Sequence, residues 1–82
     1  MIRICTEEDS ERILDFILKK PAENLFLIGD IEVYGFDSDI QKVWGQFEGD
    51  ELIAVLLRYD VNHIIYSEGA YDVEGFATII NA

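Results

Sequence analysis

The side chains that could carry out chemistry in this sequence are few and widely spaced. His63 is the only histidine and Cys5 the only cysteine, so neither a histidine-rich metal site nor a cysteine-cluster zinc site is expected. His63 could act as a general base, but a histidine beside a turn at the start of a strand is more often a surface residue. Cys5 lies in a short apolar segment typical of a buried structural thiol, and it has no partner for an intrachain disulfide.

The hydroxyl and carboxylate side chains form no recognisable catalytic arrangement. The serines lack the glycine-flanked context of a nucleophile; they are Ser10, Ser38 and Ser67. Thr78 fits an ordinary helix position. The carboxylate pairs Asp37/Asp39 and Asp50/Glu51 lie in turn-like segments, where aspartate is common because it bonds to nearby main chain. We interpret both pairs as solvated turns, with weak cation sites as the alternative.

One segment partly matches a loop that binds phosphate groups. Residues 46–51, Gln-Phe-Glu-Gly-Asp-Glu, follow all but the last position of Gln/Arg-x-x-Gly-x-Gly/Ala, with which acetyl-CoA-dependent acetyltransferases hold a pyrophosphate. Glu51 replaces the small residue that lets the main chain approach the phosphates. The segment is also predicted to be a hairpin rather than a strand-to-helix turn, and its three carboxylates would repel a pyrophosphate. We therefore interpret the match as chance.

Four aromatic side chains on or near the predicted strands could line a binding groove. They are Trp44, Tyr59, Tyr66 and Tyr71. Aromatic residues on half-buried strands usually belong to the core, and we expect that role here.

The spacing of apolar residues predicts one α+β domain covering residues 1–82. A short strand at 2–5 precedes a helix that Thr6 caps and Pro21 ends, with an apolar face of Ile13, Leu14, Ile17 and Leu18. A second helix follows from Asn24 to Tyr34 and stops at Gly35. Three antiparallel strands at 43–47, 52–59 and 63–66 then form a meander, with Gly49-Asp50 as a tight hairpin. Asp72 caps a final helix.

Two features of this arrangement predict what the elements cover. Residues 52–57 are apolar on both sides of their strand, so the sheet should carry helices on both faces. The second helix is apolar around most of its circumference, and we expect its neighbours to cover it. The far edge of the sheet, in contrast, has no later element to cover it and offers unpaired main-chain groups to other chains.

Charge and length limit the classes of function. The net charge is −11, from 17 acidic and 6 basic residues in an 82-residue chain, so a nucleic-acid backbone or an anionic membrane would be repelled. The acidic residues are interpreted as a solubilising exterior, with attraction of a cationic partner or an amine substrate as the alternative. The sequence contains neither a recognisable secretion signal nor an apolar stretch of membrane-spanning length, so we expect a cytoplasmic protein. One small core also leaves no room for a deep substrate cavity, so the chain alone is not expected to be a complete enzyme.

Several segments together resemble a known enzyme superfamily. They are residues 24–32 (Asn-Leu-Phe-Leu-Ile-Gly-Asp-Ile-Glu), 34–37 (Tyr-Gly-Phe-Asp), 43–45 (Val-Trp-Gly), 54–59 (Ala-Val-Leu-Leu-Arg-Tyr) and 72–76 (Asp-Val-Glu-Gly-Phe). This pattern resembles the amino-terminal region of a bacterial subgroup of the GNAT superfamily, the acetyl-CoA-dependent N-acetyltransferases. The resemblance extends from Ile2 to Ile80 and rests on packing and turn residues.

The resemblance implies the amino-terminal half of the GNAT fold and, in the full protein, acetyl transfer from acetyl-CoA to a primary amine. In this subgroup the acetyl-CoA-binding core follows the matched stretch, so no catalytic or cofactor-binding residue can be assigned here and no acetyl-CoA is expected on this chain alone. The connection at residues 20–24 corresponds to a region that often borders the acceptor pocket.

Three hypotheses follow from the sequence. The first is an amino-terminal domain or fragment of such an acetyltransferase, inactive alone and partnered by a carboxy-terminal core. The second is a self-standing interaction module derived from the same half-fold, which pairs through its exposed sheet edge with itself or with an acetyltransferase. From the uncovered edge we also expect a homo-oligomer, formed by strand pairing or by exchange of the last helix, Asp72–Asn81. The third is an unrelated small protein whose acidic surface binds a cationic ligand.

Overall fold

The computed structural model describes residues 1–36 and 38–82 as a four-stranded antiparallel sheet with three α-helices. The strands are β1 (Ile2–Ile4), β2 (Gln41–Glu48), β3 (Glu51–Tyr59) and β4 (Asn62–Ser67), and they lie in the order β1-β2-β3-β4. The helices are α1 (Ser10–Ile17), α2 (Leu25–Tyr34) and α3 (Val73–Ile80), and a 3₁₀ turn at Glu7–Asp9 precedes α1. The predicted α+β class and order of elements are confirmed.

β3 is the central strand, as its double-sided apolar pattern predicts. Its residues 54–57 are fully buried, and alternate side chains point into two separate hydrophobic clusters. Val55 and Leu57 face the cluster that α1 and α2 cover, whereas Ala54 and Leu56 face the cluster that α3 covers through Phe76. The sheet therefore carries helices on both faces.

The first helix differs from its prediction in extent and in register. It ends at Ile17 rather than near Lys20, because the buried Asn24 side chain donates to the Ile17 carbonyl at 2.8 Å and closes the helix there. Phe16 lies in the core, while Leu18, predicted to be on the buried face, is half-exposed. At the other end, the Thr6 cap is confirmed by a capping box with Asp9.

The predicted coverage of α2 is wrong. Only Leu27 and Ile31 are buried. Leu25, Phe26 and Val33 are 66%, 77% and 72% exposed, because α2 contacts the rest of the described chain through one narrow side. The apolar outer side of the helix is therefore left facing solvent.

The turns follow the sequence closely. Gly49 has a φ of 61° between β2 and β3, which is the left-handed conformation predicted for the hairpin. Asp60, which begins the turn between β3 and β4, has a φ of 55°. At α3 the predicted cap is confirmed, since the Asp72 carboxylate accepts a hydrogen bond from Gly75 N–H at 2.9 Å.

Candidate functional site

The outer edge of β4 is the longest unpaired strand edge among the described residues. Asp60 N–H donates to the Ile40 carbonyl, on the β2 side of β3. Because successive residues direct their main-chain groups to opposite sides, Tyr59 directs its N–H and C=O toward β4. Tyr59 pairs there with Asn62. Alternation along β4 then points the N–H and C=O of Ile64 and Tyr66 toward β3. The same groups of His63, Ile65 and Ser67 point away from the sheet.

The composition of β4 leaves this edge open to pairing. Residues 61–67 contain no acidic residue, lysine, arginine or proline, although charges and prolines are the usual means of protecting a strand edge. β1, at the opposite edge, has only three residues and includes Arg3. A second chain could therefore add a strand beside β4 far more readily than beside β1.

The segment that leaves β4 occupies the position where a strand-to-helix turn can hold an anion, but the N–H groups of Asp72, Val73 and Gly75 are already hydrogen-bonded. Gly75 N–H is bonded to the Asp72 carboxylate, and Asp72 N–H donates to the Gln46 side-chain oxygen at 2.7 Å. The positive end of α3 is thus neutralised by its own aspartate. Glu68 and Glu74 add negative charge on either side in the sequence, so this turn is poorly suited to a phosphate group.

A groove of about 240 Å³ lies beside this segment. Its lining consists of Phe16, Lys19, residues 51–53 and residues 68–70, and a neighbouring depression of about 210 Å³ extends it toward Arg12 and Asp15. Lys19 Nζ donates to Glu68 Oε1 at 3.0 Å between two half-exposed side chains. Such surface ion pairs contribute about 0–1 kcal/mol to stability. Among the described residues that line the groove there is no histidine, cysteine or serine, so they offer binding surface rather than one of these nucleophiles.

Tyr66, one of the four aromatic residues named from the sequence, contacts Phe16 of the groove lining. Its ring packs edge-on against Phe16 with centroids 5.2 Å apart. Its buried hydroxyl has no hydrogen-bond partner among the described residues. Burial, with a smaller contribution from Glu68, raises the pKa of the Tyr66 phenol, so this group stays protonated as a donor. Only the packing of α1 on the sheet brings Tyr66 and Phe16 together.

The two candidate reactive residues, Cys5 and His63, lie in different parts of the fold. Cys5 is fully buried in the core, and burial raises the pKa of its thiol to about 11, which suits the predicted structural role. His63 is half-buried on β4 opposite Arg58. Its buried Nε2 has no hydrogen-bond partner among the described residues, so the structure differs from the predicted surface position.

The remaining predicted sites have structural explanations. Residues 46–51 form the β2–β3 hairpin, as expected, with Gln46 fixing the start of α3. In the connection at residues 20–24, the buried Asn24 side chain donates to the Ile17 carbonyl at the end of α1. Residues 20–23 are exposed. The Asp37/Asp39 pair includes Asp37, which lies outside the described residues. Within residues 1–36 and 38–82, no group of three or more histidine, cysteine or carboxylate side chains could hold a metal ion.

The alternative to a core role, a single aromatic groove, does not form, because the four rings separate onto the two faces of the sheet. Tyr66 is in the cluster beneath α1 and α2, and Tyr59 packs at its margin beside Tyr34. Trp44 and Tyr71 belong to the cluster beneath α3. The core role is thus confirmed for the buried Tyr66, and the other three lie at the borders of the two clusters.

Comparisons with protein-family models, curated proteins and solved structures find no match to this chain. In the part of the chain that the structure describes, no helix has both the length and the apolar character needed to cross a membrane.

Proposed function

We propose that this chain is the amino-terminal domain of a GNAT-superfamily N-acetyltransferase, which is inactive alone and docks on an acetyltransferase core through the outer edge of β4. The observation that carries this proposal is the unprotected edge of β4 described above. The order of strands and helices also agrees with the half-fold that the sequence resemblance implies.

The charges indicate that this domain and the acetyltransferase core of such an enzyme would have different roles. The donor, acetyl-CoA, is strongly anionic, whereas this chain carries a net charge of −11. Its one strand-to-helix turn after β4 has Asp72 in the place where an anion would bind. The acetyl-CoA site is therefore assigned to the core, and this domain contributes packing surface and the groove beside α1.

The first experiment compares two polypeptides by isothermal titration with acetyl-CoA. An antibody raised against the chain gives the mass of the protein in its native cells, and that protein is then purified alongside the isolated 82 residues. We expect a longer native polypeptide that binds acetyl-CoA, and no binding by the isolated chain. Saturable binding of acetyl-CoA to the isolated chain would contradict the proposal.

The same edge supports a second candidate function, a self-standing module that pairs β4 with β4 of another copy. An antiparallel pair of β4 strands would extend the sheet from four strands to eight. This alternative predicts a native protein of 9.4 kDa that dimerises. Light scattering separates the two candidate functions. A self-standing module should have the mass of a dimer, and Ile65→Pro should reduce it to that of a monomer. A domain of a longer enzyme does not need to pair with a second copy of itself.

A further inference from the structure

The outer side of α2 carries a continuous apolar strip that lies on a different surface from β4. At about 100° per residue, Leu25, Gly29, Val33 and Phe26 fall within one sector of about 100°. The three side chains among them are 66–77% exposed. The buried residues Leu27 and Ile31 lie on the opposite side of the helix. The strip therefore contributes nothing to the core of this chain.

At the centre of the strip, the main chain of α2 is accessible to another helix. Beyond its chain neighbours and the helix's own main chain, a Cβ atom added at Gly29 would meet no atom of the described residues within 4 Å, so the main chain there is accessible from outside. Phe26 and Val33 stand three residues before and four residues after this glycine. Another helix could lie across Gly29 with its own side chains between these two.

The charges beside the strip indicate what kind of partner fits. Asp30 borders the strip on the Phe26 side and Glu32 borders it on the Leu25 side, by their positions around the helix. No lysine or arginine occurs in the sequence between Lys20 and Lys42. A partner that buries the apolar side chains must therefore meet carboxylates on both sides of them.

We propose that the α2 strip binds an amphipathic helix of another protein, one with an apolar face bordered by lysine or arginine. Charge complementarity selects this partner over the alternatives. A second copy would bring Asp30 and Glu32 against the same carboxylates in a chain that already carries a net charge of −11. An anionic lipid surface would be repelled for the same reason.

The test uses a synthetic peptide of about 18 residues made of leucine and lysine, with the leucines at helical i, i+3, i+4 and i+7 spacing. Titration of the full chain is followed by calorimetry, and the contact surface is mapped by amide chemical shifts. We expect shifts centred on α2, and binding weakened at least about tenfold in a Phe26→Ser/Val33→Ser double variant. A scrambled peptide of the same composition should not bind.

Two matched variants isolate the strip from the rest of the surface. Val61 is as exposed as Phe26, at 77%, but lies in the β3–β4 turn, so Val61→Ser should leave the affinity unchanged. Ile65→Pro, which blocks the β4 edge, should also leave it unchanged, and this keeps the test separate from the proposed docking through β4.

Several results would overturn the proposal. They are absence of binding, equal affinity in the double variant, or shifts centred on the sheet. Self-association that the double variant abolishes would assign the strip to a second copy instead. Binding to zwitterionic vesicles that the double variant abolishes would assign it to a lipid surface.

Discussion

Replacement by proline at two adjacent positions of β4 tests which side of the strand is free. Ile64 directs its N–H toward β3, opposite Leu57, whereas Ile65 directs its N–H away from the sheet. Ile64→Pro removes one ladder hydrogen bond and leaves a buried acceptor without a partner. Ile65→Pro removes a donor that the sheet does not use.

The expected difference between the two variants follows from these bonds. Loss of the bond costs about 1 kcal/mol and the unpaired acceptor about 1–3 kcal/mol, so Ile64→Pro should lose about 2–4 kcal/mol more than Ile64→Ala. Ile65→Pro should lie within about 1 kcal/mol of Ile65→Ala, because only the strand propensity changes. In a domain of this size 1 kcal/mol corresponds to roughly 4–8 °C in Tm.

Thermal and urea unfolding followed by far-UV circular dichroism measure both differences, with the alanine variants as controls for the lost side chain. If Ile65→Pro proves as damaging as Ile64→Pro relative to its alanine control, the outer edge of β4 is not free. The proposed docking through this edge would then lose its basis.

Three further predictions concern other parts of the fold. Leu56→Pro should abolish cooperative unfolding, since Leu56 is fully buried in the central strand and proline removes a ladder bond there; a variant that melts like the parent would mean that β3 is not central. Asp9, bonded to Arg3 at 2.8 and 3.0 Å, has its pKa lowered to about 2, below an unfolded value of roughly 3.9. The stability from this pair is therefore present above the unfolded pKa and lost as the pH falls through the folded value, so the Tm advantage over Asp9→Asn should shrink progressively between about pH 5 and pH 1; an advantage that is undiminished at the low end of this range would contradict the pairing. Finally, the Cys5 thiol should react with a disulfide reagent only after urea unfolds the chain, and rapid labelling of the native protein would show that it is not buried.

The helix caps, the β2–β3 turn and the β3 strand could be predicted from the sequence, because each is determined by residues close together in the chain. Thr6 and Asp72 cap helices through bonds to main chain two or three positions away. Gly49 supplies the positive φ that the β2–β3 hairpin needs. The apolar run of β3 likewise indicated a strand covered on both faces, since neither set of alternating side chains could face water.

What only the tertiary structure decided is where surfaces meet and which remain open. The sequence predicted a covered α2, yet an apolar helix is buried only where other elements reach it, and here they reach only the side with Leu27 and Ile31. Phe16 and Tyr66, which are in contact, lie 50 positions apart in the sequence. The end of α1 depends on the turn after it, which brings the Asn24 side chain to the Ile17 carbonyl. Helical and strand periods determine the local elements, but long-range packing determines their neighbours.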